Sequence, residues 1–312
     1  MYACSPRWRG DWLSEEDAEK IFTQLTGKIQ ASPHETHGIG INFGLHVTGG
    51  EPFLNYDLLL KVSKIAKKLK IPSTFVETNC FWCTDDKITR EKLMQLKDAG
   101  LDGILISVNP FILEEVPFER TERAARISTE VFHHNVIVYQ ELFYHLFNQL
   151  HIKNTLSLEE YLQKTPHSLR FVELLPMGRT AYALGYLFKK YTAETFFGIS
   201  CKEELTREWH IHIDNYGNYM PGYCGGISLG NAMDLNSLLQ GIDLTQRPIL
   251  NAVVTDLKKL YQIGAEKFGY NELRGGYISK CHLCIDIRKH IVQQSDEFEE
   301  LRPREFYYHI ED

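Results

Sequence analysis

Two groups of residues in this 312-residue chain have types and spacing suited to chemistry. The first is Gly49-Gly50-Glu51-Pro52, within LHVTGGEPFLN, just after an apolar strand-like run. Two glycines leave the backbone bare for a ligand to lie against, and a carboxylate beside them can accept from a cationic group. A tight turn accounts for the same glycines. The second group is cysteine. Cys281-His282-Leu283-Cys284 is a two-ligand clip of the kind that holds metals, and Cys201 and Cys224 are its nearest companions in sequence. The plain alternative is ordinary buried thiols, since free cysteine is among the most buried residue types. Cys80 and Cys83, in ETNCFWC, suit a redox pair, a site for a substrate sulfur, or a zinc site shared with Cys281 and Cys284. They also suit two neutral loop thiols. His210, His212 and His282 stay outside the candidate site, because single histidines on strands or loops are more often satisfied locally than ligating. No Ser-His-Asp constellation or HExxH motif is legible.

The elements that must position these residues alternate along the first half of the chain. GIGINFGLHV reads as a strand leading into the glycines, and Leu58, Val62, Ile65 and Leu69 follow at helical spacing. STFVETN is a second strand, and TREKLMQLKDAG is a short helix with Thr89 as N-cap and Gly100 as its stop. DGILISVN, NVIVYQ and SLRFVELLPMG read as three further strands, with a helix at ERTERAARISTEVFHH and another opened by the Ser157/Glu160 capping box. Strands separated by helices predict parallel β/α units, whose functional residues gather at the C-terminal strand ends. Glu77-Thr78-Asn79 and Ser107-Val108-Asn109 then join the glycines at one mouth. Beyond residue 195 the pattern changes. WHIHIDNYGNYMPGYC alternates like a hairpin turning at residues 215–218, and a long helical pattern spans 248–268. A last helix follows the CxxC pair, and the tail SDEFEELRPREFYYHIED fits no element.

Composition narrows the classes. A hydrophobic fraction of 43% supports a true core, and a net charge of −7 with scattered lysines disfavours nucleic acid as the partner. No apolar run reaches the length of a membrane span, and the start lacks the apolar region of a signal peptide. A cytoplasmic, reducing compartment is expected, where an odd set of seven cysteines serves as thiols or metal ligands rather than disulfides.

The order GGEP, then ETN, then LKDAGLDGILISV, then ELLPMGR resembles the radical SAM superfamily over roughly residues 13–180. The resemblance implies a partial (β/α)6 TIM-type barrel of parallel strands with a small C-terminal α+β extension. It also implies that Gly49, Gly50 and Glu51 of the GGEP motif, which Pro52 closes, hold the amino group of S-adenosylmethionine. Ser107 would contact its ribose or methionyl part, Leu175 and Pro176 would flank its adenine, and Asn79 would lie near the cofactor. A hydroxyl satisfied by local backbone is the plain alternative for Ser107. The implied activity is reductive cleavage of the cofactor to a 5′-deoxyadenosyl radical that abstracts hydrogen from a peptide or small-molecule substrate, with an electron donor such as flavodoxin or ferredoxin.

Radical SAM chemistry needs a 4Fe–4S cluster held by a CxxxCxxC loop, and no cysteines here have that spacing. Cys4 is the one cysteine ahead of GGEP, and MYACSPRWRGDW resembles the segment that follows the loop in family members. Two expectations follow: a truncated chain, without the first barrel strand and inactive as written, which is the favoured one, or a natural relative that lacks the cluster. Cys201, Cys224, Cys281 and Cys284 resemble the twitch or SPASM-type extensions that hold auxiliary clusters. The match is partial: Cys224 lies farther from Gly217 than is usual and the cysteines are fewer, so one auxiliary cluster at most is implied. Cys80 stands where the family commonly has glycine. The expected division is a barrel over residues 1–192 and an extension over 193–312. The competing expectation is a non-catalytic binding module with structural zinc held by CxxC pairs.

Overall fold

Leu59, Val62, Ile65 and Ala66 recur at helical spacing, and they form the buried stripe of a helix capped by the Asn55 side chain. The computed structural model describes residues 5, 7–8, 12–33, 35–171, 174–207 and 209–312. Packing separates two units. In the unit Ser14–Glu173, the elements run α1 (Glu15–Leu25), β1 (Leu45–Val47), α2 (Tyr56–Lys68), β2 (Thr74–Thr78), α3 (Asp86–Ala99) and β3 (Gly103–Ser107). They continue with α4 (Pro110–Leu113), α5 (Phe118–Phe132), β4 (Val136–Tyr139), α6 (Glu141–Gln149) and α7 (Leu158–Lys164). The four strands form one parallel sheet in sequential order, so the unit is mixed α/β.

The sheet has two chemically different faces, as the alternation of side chains along each strand requires. Val76, Ile104 and Ile106 turn to one side and join an apolar core with Leu93, Ile127 and Phe147 of the helices. His46, Phe75, Glu77 and Ser107 occupy the other side, where His46 stacks on Phe75 at 4.4 Å.

Three sequence expectations need correction. The run GIGINFGLHV yields a strand only over Leu45–Val47, because Gly44 takes φ +81 and a Cβ there would meet the Ser73 carbonyl oxygen at 2.0 Å. That close approach suits glycine and ends the strand. The fifth strand expected over 168–178 is instead a 3-10 turn at Ser168–Phe171, with Val172 and Glu173 outside the described residues. Ser168 N donates to Thr165 O at 3.0 Å, and the Thr165 hydroxyl donates to Ser168 Oγ at 3.3 Å, so local bonds replace a ladder. The cap of α3 is Asp85, whose side chain accepts from Ile88 N. Thr89 is buried one turn inside.

The second unit joins the described residues of Met1–Leu13 to Leu174–Asp312. Residues 174–192 thus pack with the C-terminal part. Its elements are α8 (Arg179–Ala183), α9 (Lys202–Leu205), β5 (Ile211–Ile213), β6 (Asn218–Pro221), β7 (Gly230–Asn231), α10 (Leu235–Leu239), α11 (Pro248–Thr255), α12 (Leu257–Phe268), α13 (Lys280–Val292) and α14 (Arg304–Tyr308). The expected hairpin forms between β5 and β6, with Asp214 accepting from Tyr216 N and Asn218 N in its turn. The helical pattern over 248–268 breaks at Asp256, which adopts extended backbone and caps α12. The tail packs Phe298, Leu301, Phe306, Tyr307 and Ile310 into the core of this unit. Among the described residues no helix is long and apolar enough to cross a membrane.

Candidate functional site

At the end of β1 the chain turns through Thr48, Gly49 and Gly50, all exposed. Gly49 adopts φ +153, outside the usual range of residues with a side chain, and a Cβ at Gly49 or Gly50 would meet nothing within 4 Å. The glycines therefore present bare backbone to open space. Nothing in the packing of the fold requires their lack of side chains.

Glu51 behaves differently. It is 5% exposed and caps the short 3-10 turn Pro52–Asn55. Its Oε1 accepts from Phe53 N at 3.1 Å and from the Thr78 hydroxyl at 3.0 Å, and its Oε2 accepts from Asn79 N at 2.7 Å. The carboxylate thus ties the glycine turn to the end of β2. Burial raises its pKa, and the N–H groups of Asn79 and Phe53 and the Thr78 hydroxyl only partly offset that rise. Pro52 is buried behind it.

Thr78 completes the brace. Its hydroxyl oxygen accepts from Cys80 N and Trp82 Nε1, each at 3.0 Å, while the Trp82 ring stacks on Phe53 at 4.0 Å. Asn79 uses its side-chain oxygen locally, accepting from Phe81 N at 3.0 Å. Asn109 likewise caps α4. Cys80 and Cys83 are free thiols, each with no exposed surface. Burial, then the neighbouring Cys83 thiol, pushes Cys80 well above the ordinary thiol range. Arg120 and Arg123 of α5 donate to the Phe81 and Cys83 carbonyls, which pins this loop.

Ser107, at the end of β3, does not turn to local backbone. Its hydroxyl donates to Glu77 Oε1 at 2.5 Å. Glu77 also accepts from the Thr48 hydroxyl at 3.1 Å, and His46 Nε2 stands 3.3 Å from its Oε2. Burial works to raise the Glu77 pKa, yet the neighbouring His46 and the bonds from Ser107 and Thr48 outweigh it and leave it lowered. Three consecutive strand ends therefore share one carboxylate network beside the open glycine backbone. Two neighbouring carboxylates there are shifted in opposite directions, Glu51 upward and Glu77 downward. Glu77 is expected at the mouth from the sequence, whereas His46 and Thr48 escape a motif-based reading. The signal that finds them is strand alternation, which places positions 46, 48, 77 and 107 on one face.

Leu175 and Pro176 belong to the second unit. The Pro176 carbonyl accepts from Ser279 Oγ at 2.5 Å, and Ser279 caps α13 by accepting from His282 N. The stretch expected at the adenine is thereby tied to the helix that carries the CxxC pair.

In that unit Cys201 precedes α9 and donates its N–H to Val253 O at 3.0 Å. Cys224 follows β6, with its N–H on Pro221 O at 3.3 Å. Cys281 and Cys284 lie in the first turn of α13. All four are free thiols, and every pair among them is close enough for a charge on one to act on the other. Burial, then these neighbours, pushes Cys201 and Cys281 up to about 12 and Cys224 up to about 11. Lys280, which pairs with Glu204, and Arg207 and Arg288 supply positive charge around them. Among the described residues no three His, Cys, Asp or Glu side chains gather as a set able to hold a metal ion. The sequence expectation brings the four thiols to one neighbourhood but misses the buried Arg288 and the Tyr307 hydroxyl on which it rests. Cys4 lies outside the described residues. Comparison of the chain with protein families and with curated proteins finds no match.

Proposed function

We propose that this chain binds S-adenosylmethionine at the strand-end shelf and works as part of a radical SAM enzyme acting on a peptide or small-molecule substrate. The observation that carries this reading is the Thr48–Glu77–Ser107 network joining three parallel strand ends beside the exposed Gly49-Gly50 backbone. In this reading the four-stranded sheet is an arc of a partial β/α barrel. When bound and reduced by one electron from a 4Fe–4S cluster, the cofactor supplies a radical that abstracts hydrogen.

The chain's own groups have separable tasks. Gly49 and Gly50 let the ligand lie against backbone, and Pro52 starts the turn that follows. Glu51 fixes the shelf, since its carboxylate already accepts three bonds from within the protein. Glu77, kept ionised, offers the countercharge to an ammonium group, with Ser107 aligning it. Asn79 holds the β2 turn through its side-chain bond to Phe81 N.

The four C-terminal cysteines suit an auxiliary 4Fe–4S cluster by donor chemistry. They are free, converge from three segments, and have lysine and arginine near them. A single zinc needs sulfurs about 3.8 Å apart around one ion, whereas a cluster spreads its thiolates over the corners of a cube. The given residues hold no CxxxCxxC spacing, so reductive cleavage requires ligands beyond them and an electron donor of the flavodoxin or ferredoxin kind.

Equilibrium dialysis tests the binding reading directly. Saturable binding of S-adenosylmethionine, displaced by S-adenosylhomocysteine, is expected, and no saturable binding at millimolar cofactor sinks it. Anaerobic reconstitution tests the second site. About four irons and four sulfides per chain are expected, lost on Cys281→Ser. Stoichiometric zinc without sulfide supports the structural-zinc module instead.

A further inference from the structure

The Glu77 carboxylate has a potential cation beside it within the protein itself. His46 Nε2 stands 3.3 Å from Glu77 Oε2, one strand away on the same face of the sheet. That is an ion-pair distance, although the ring nitrogen is not aligned as a hydrogen-bond donor. Both side chains are partly enclosed, His46 at 21% and Glu77 at 32% exposure. A charge on the imidazole therefore acts on the carboxylate with less screening than at an open surface. The open part of Glu77 leaves a second cation room to approach.

Phe75 holds the imidazole in place. The two rings stack at 4.4 Å and 14°, and Phe75 has no exposed surface. An aromatic face accepts a neutral or a protonated imidazole, because its quadrupole attracts cations. Imidazole is the side chain whose ordinary charge change falls between about pH 5 and 8. The Ser107 and Thr48 hydroxyls that donate to Glu77 do not titrate there. Tyr139, opposite Ser107 on β4, carries a phenol, a group that ordinarily ionises near about 10. Glu51 is a second carboxylate whose charge interacts with Glu77, and burial raises its pKa.

We propose that His46 is a specificity-determining residue of the shelf: neutral, it leaves the Glu77 charge to a ligand's ammonium group, and protonated, it occupies that charge itself. This role presupposes the ammonium site assigned to Glu77 above. It couples the binding of ammonium ligands to pH. As pH falls, His46 gains a proton and stands as a positive charge beside the ligand's own, so affinity falls. Binding of the ammonium in turn favours neutral His46 and drives its proton off.

The test is calorimetric titration of the chain with S-adenosylmethionine from about pH 5 to 7, where an α-ammonium of pKa about 8 stays charged. The wild type is compared with His46→Gln and His46→Phe, the latter keeping a ring for the Phe75 stack. Wild-type affinity is expected to fall about tenfold or more between the upper and lower ends of that range. Both variants are expected to lose most of the slope. The His46 ring signals, followed by NMR in the wild type, are expected to titrate at a lower pH with the ligand bound than without it. That measurement preserves the test if neither variant folds. Variants that keep the wild-type slope assign the titration to Glu51 or another group and overturn the inference. A flat wild-type profile, or a His46 titration that the ligand does not move, overturns it as well. A wild type with no saturable binding at any pH overturns the shelf reading itself, and the inference with it.

Discussion

Ser107 on β3 donates its hydroxyl proton to Glu77 Oε1 on β2 at 2.5 Å, so two neighbouring strand ends are joined through a side-chain bond beyond their backbone ladder. Hydrogen bonds to charged groups contribute more than neutral ones, and this one lies where only 7% of Ser107 is exposed. Ser107→Ala is expected to cost about 1.5 kcal/mol in urea denaturation, with Ser107→Thr recovering most of it. An alanine variant as stable as the wild type contradicts the bond's role.

The two carboxylates predict opposite pH responses. Glu51 has its folded pKa raised above the ordinary 4.5, so its contribution to stability is fully present below 4.5 and is lost as pH rises through the folded value. Glu77 has its folded pKa lowered from 4.5, so its contribution is present above 4.5 and is lost as pH falls through the folded value. The stability gap between wild type and Glu51→Gln should narrow as pH rises, and the gap to Glu77→Gln should narrow as pH falls. Denaturation midpoints from about pH 3 to 7 check this, and gaps that move the same way for both variants rule it out.

Gly50 separates a shelf from a turn. A Cβ at this position meets nothing within 4 Å, so Gly50→Val should shift stability by less than about 1 kcal/mol. The branched side chain would stand where a ligand lies on the backbone, and affinity for S-adenosylmethionine should fall more than about tenfold, or about 1.4 kcal/mol. Unchanged affinity by calorimetry would mean that the glycines serve the turn alone.

Cys80 and Cys83 should be slow to react. Both are fully buried, and Cys80 is held protonated by burial and by Cys83. Reactive cysteines are accessible thiolates. Alkylation followed by peptide mass spectrometry should label these two only at the rate of unfolding, and rapid labelling in native buffer would restore the redox-pair reading.

Much of the scaffold was legible because its signals are local. The apolar runs at 74–78, 103–107 and 136–139 are strands, and Gly100 ends α3 in a left-handed cap. Failures arise where tertiary neighbours decide. Gly44 is constrained by the approach of Ser73, 29 positions away, which no local pattern announces. The tail looked unassignable because its aromatic residues have no period of their own, and they are buried against helices of the same unit. At the site, GGEP marks the strand end but cannot show that Glu51 turns inward while Glu77 faces the network. Arg288 was hidden for a different reason. A charged residue on a helix reads as surface until Cys284 on its face is seen to be buried with it.

The sheet's sequential order bears on how this chain reaches its fold. Each ladder joins strands separated by one βαβ crossover of about thirty residues, and no strand waits for a partner from the far end of the unit. Each new strand can dock on an edge laid down by the one before it, so the unit can grow in the direction of synthesis with modest loop-closure entropy at every step. The polar face carrying His46, Glu77 and Ser107 would then be built edge by edge, with Glu77 waiting for its Ser107 partner until β3 has emerged.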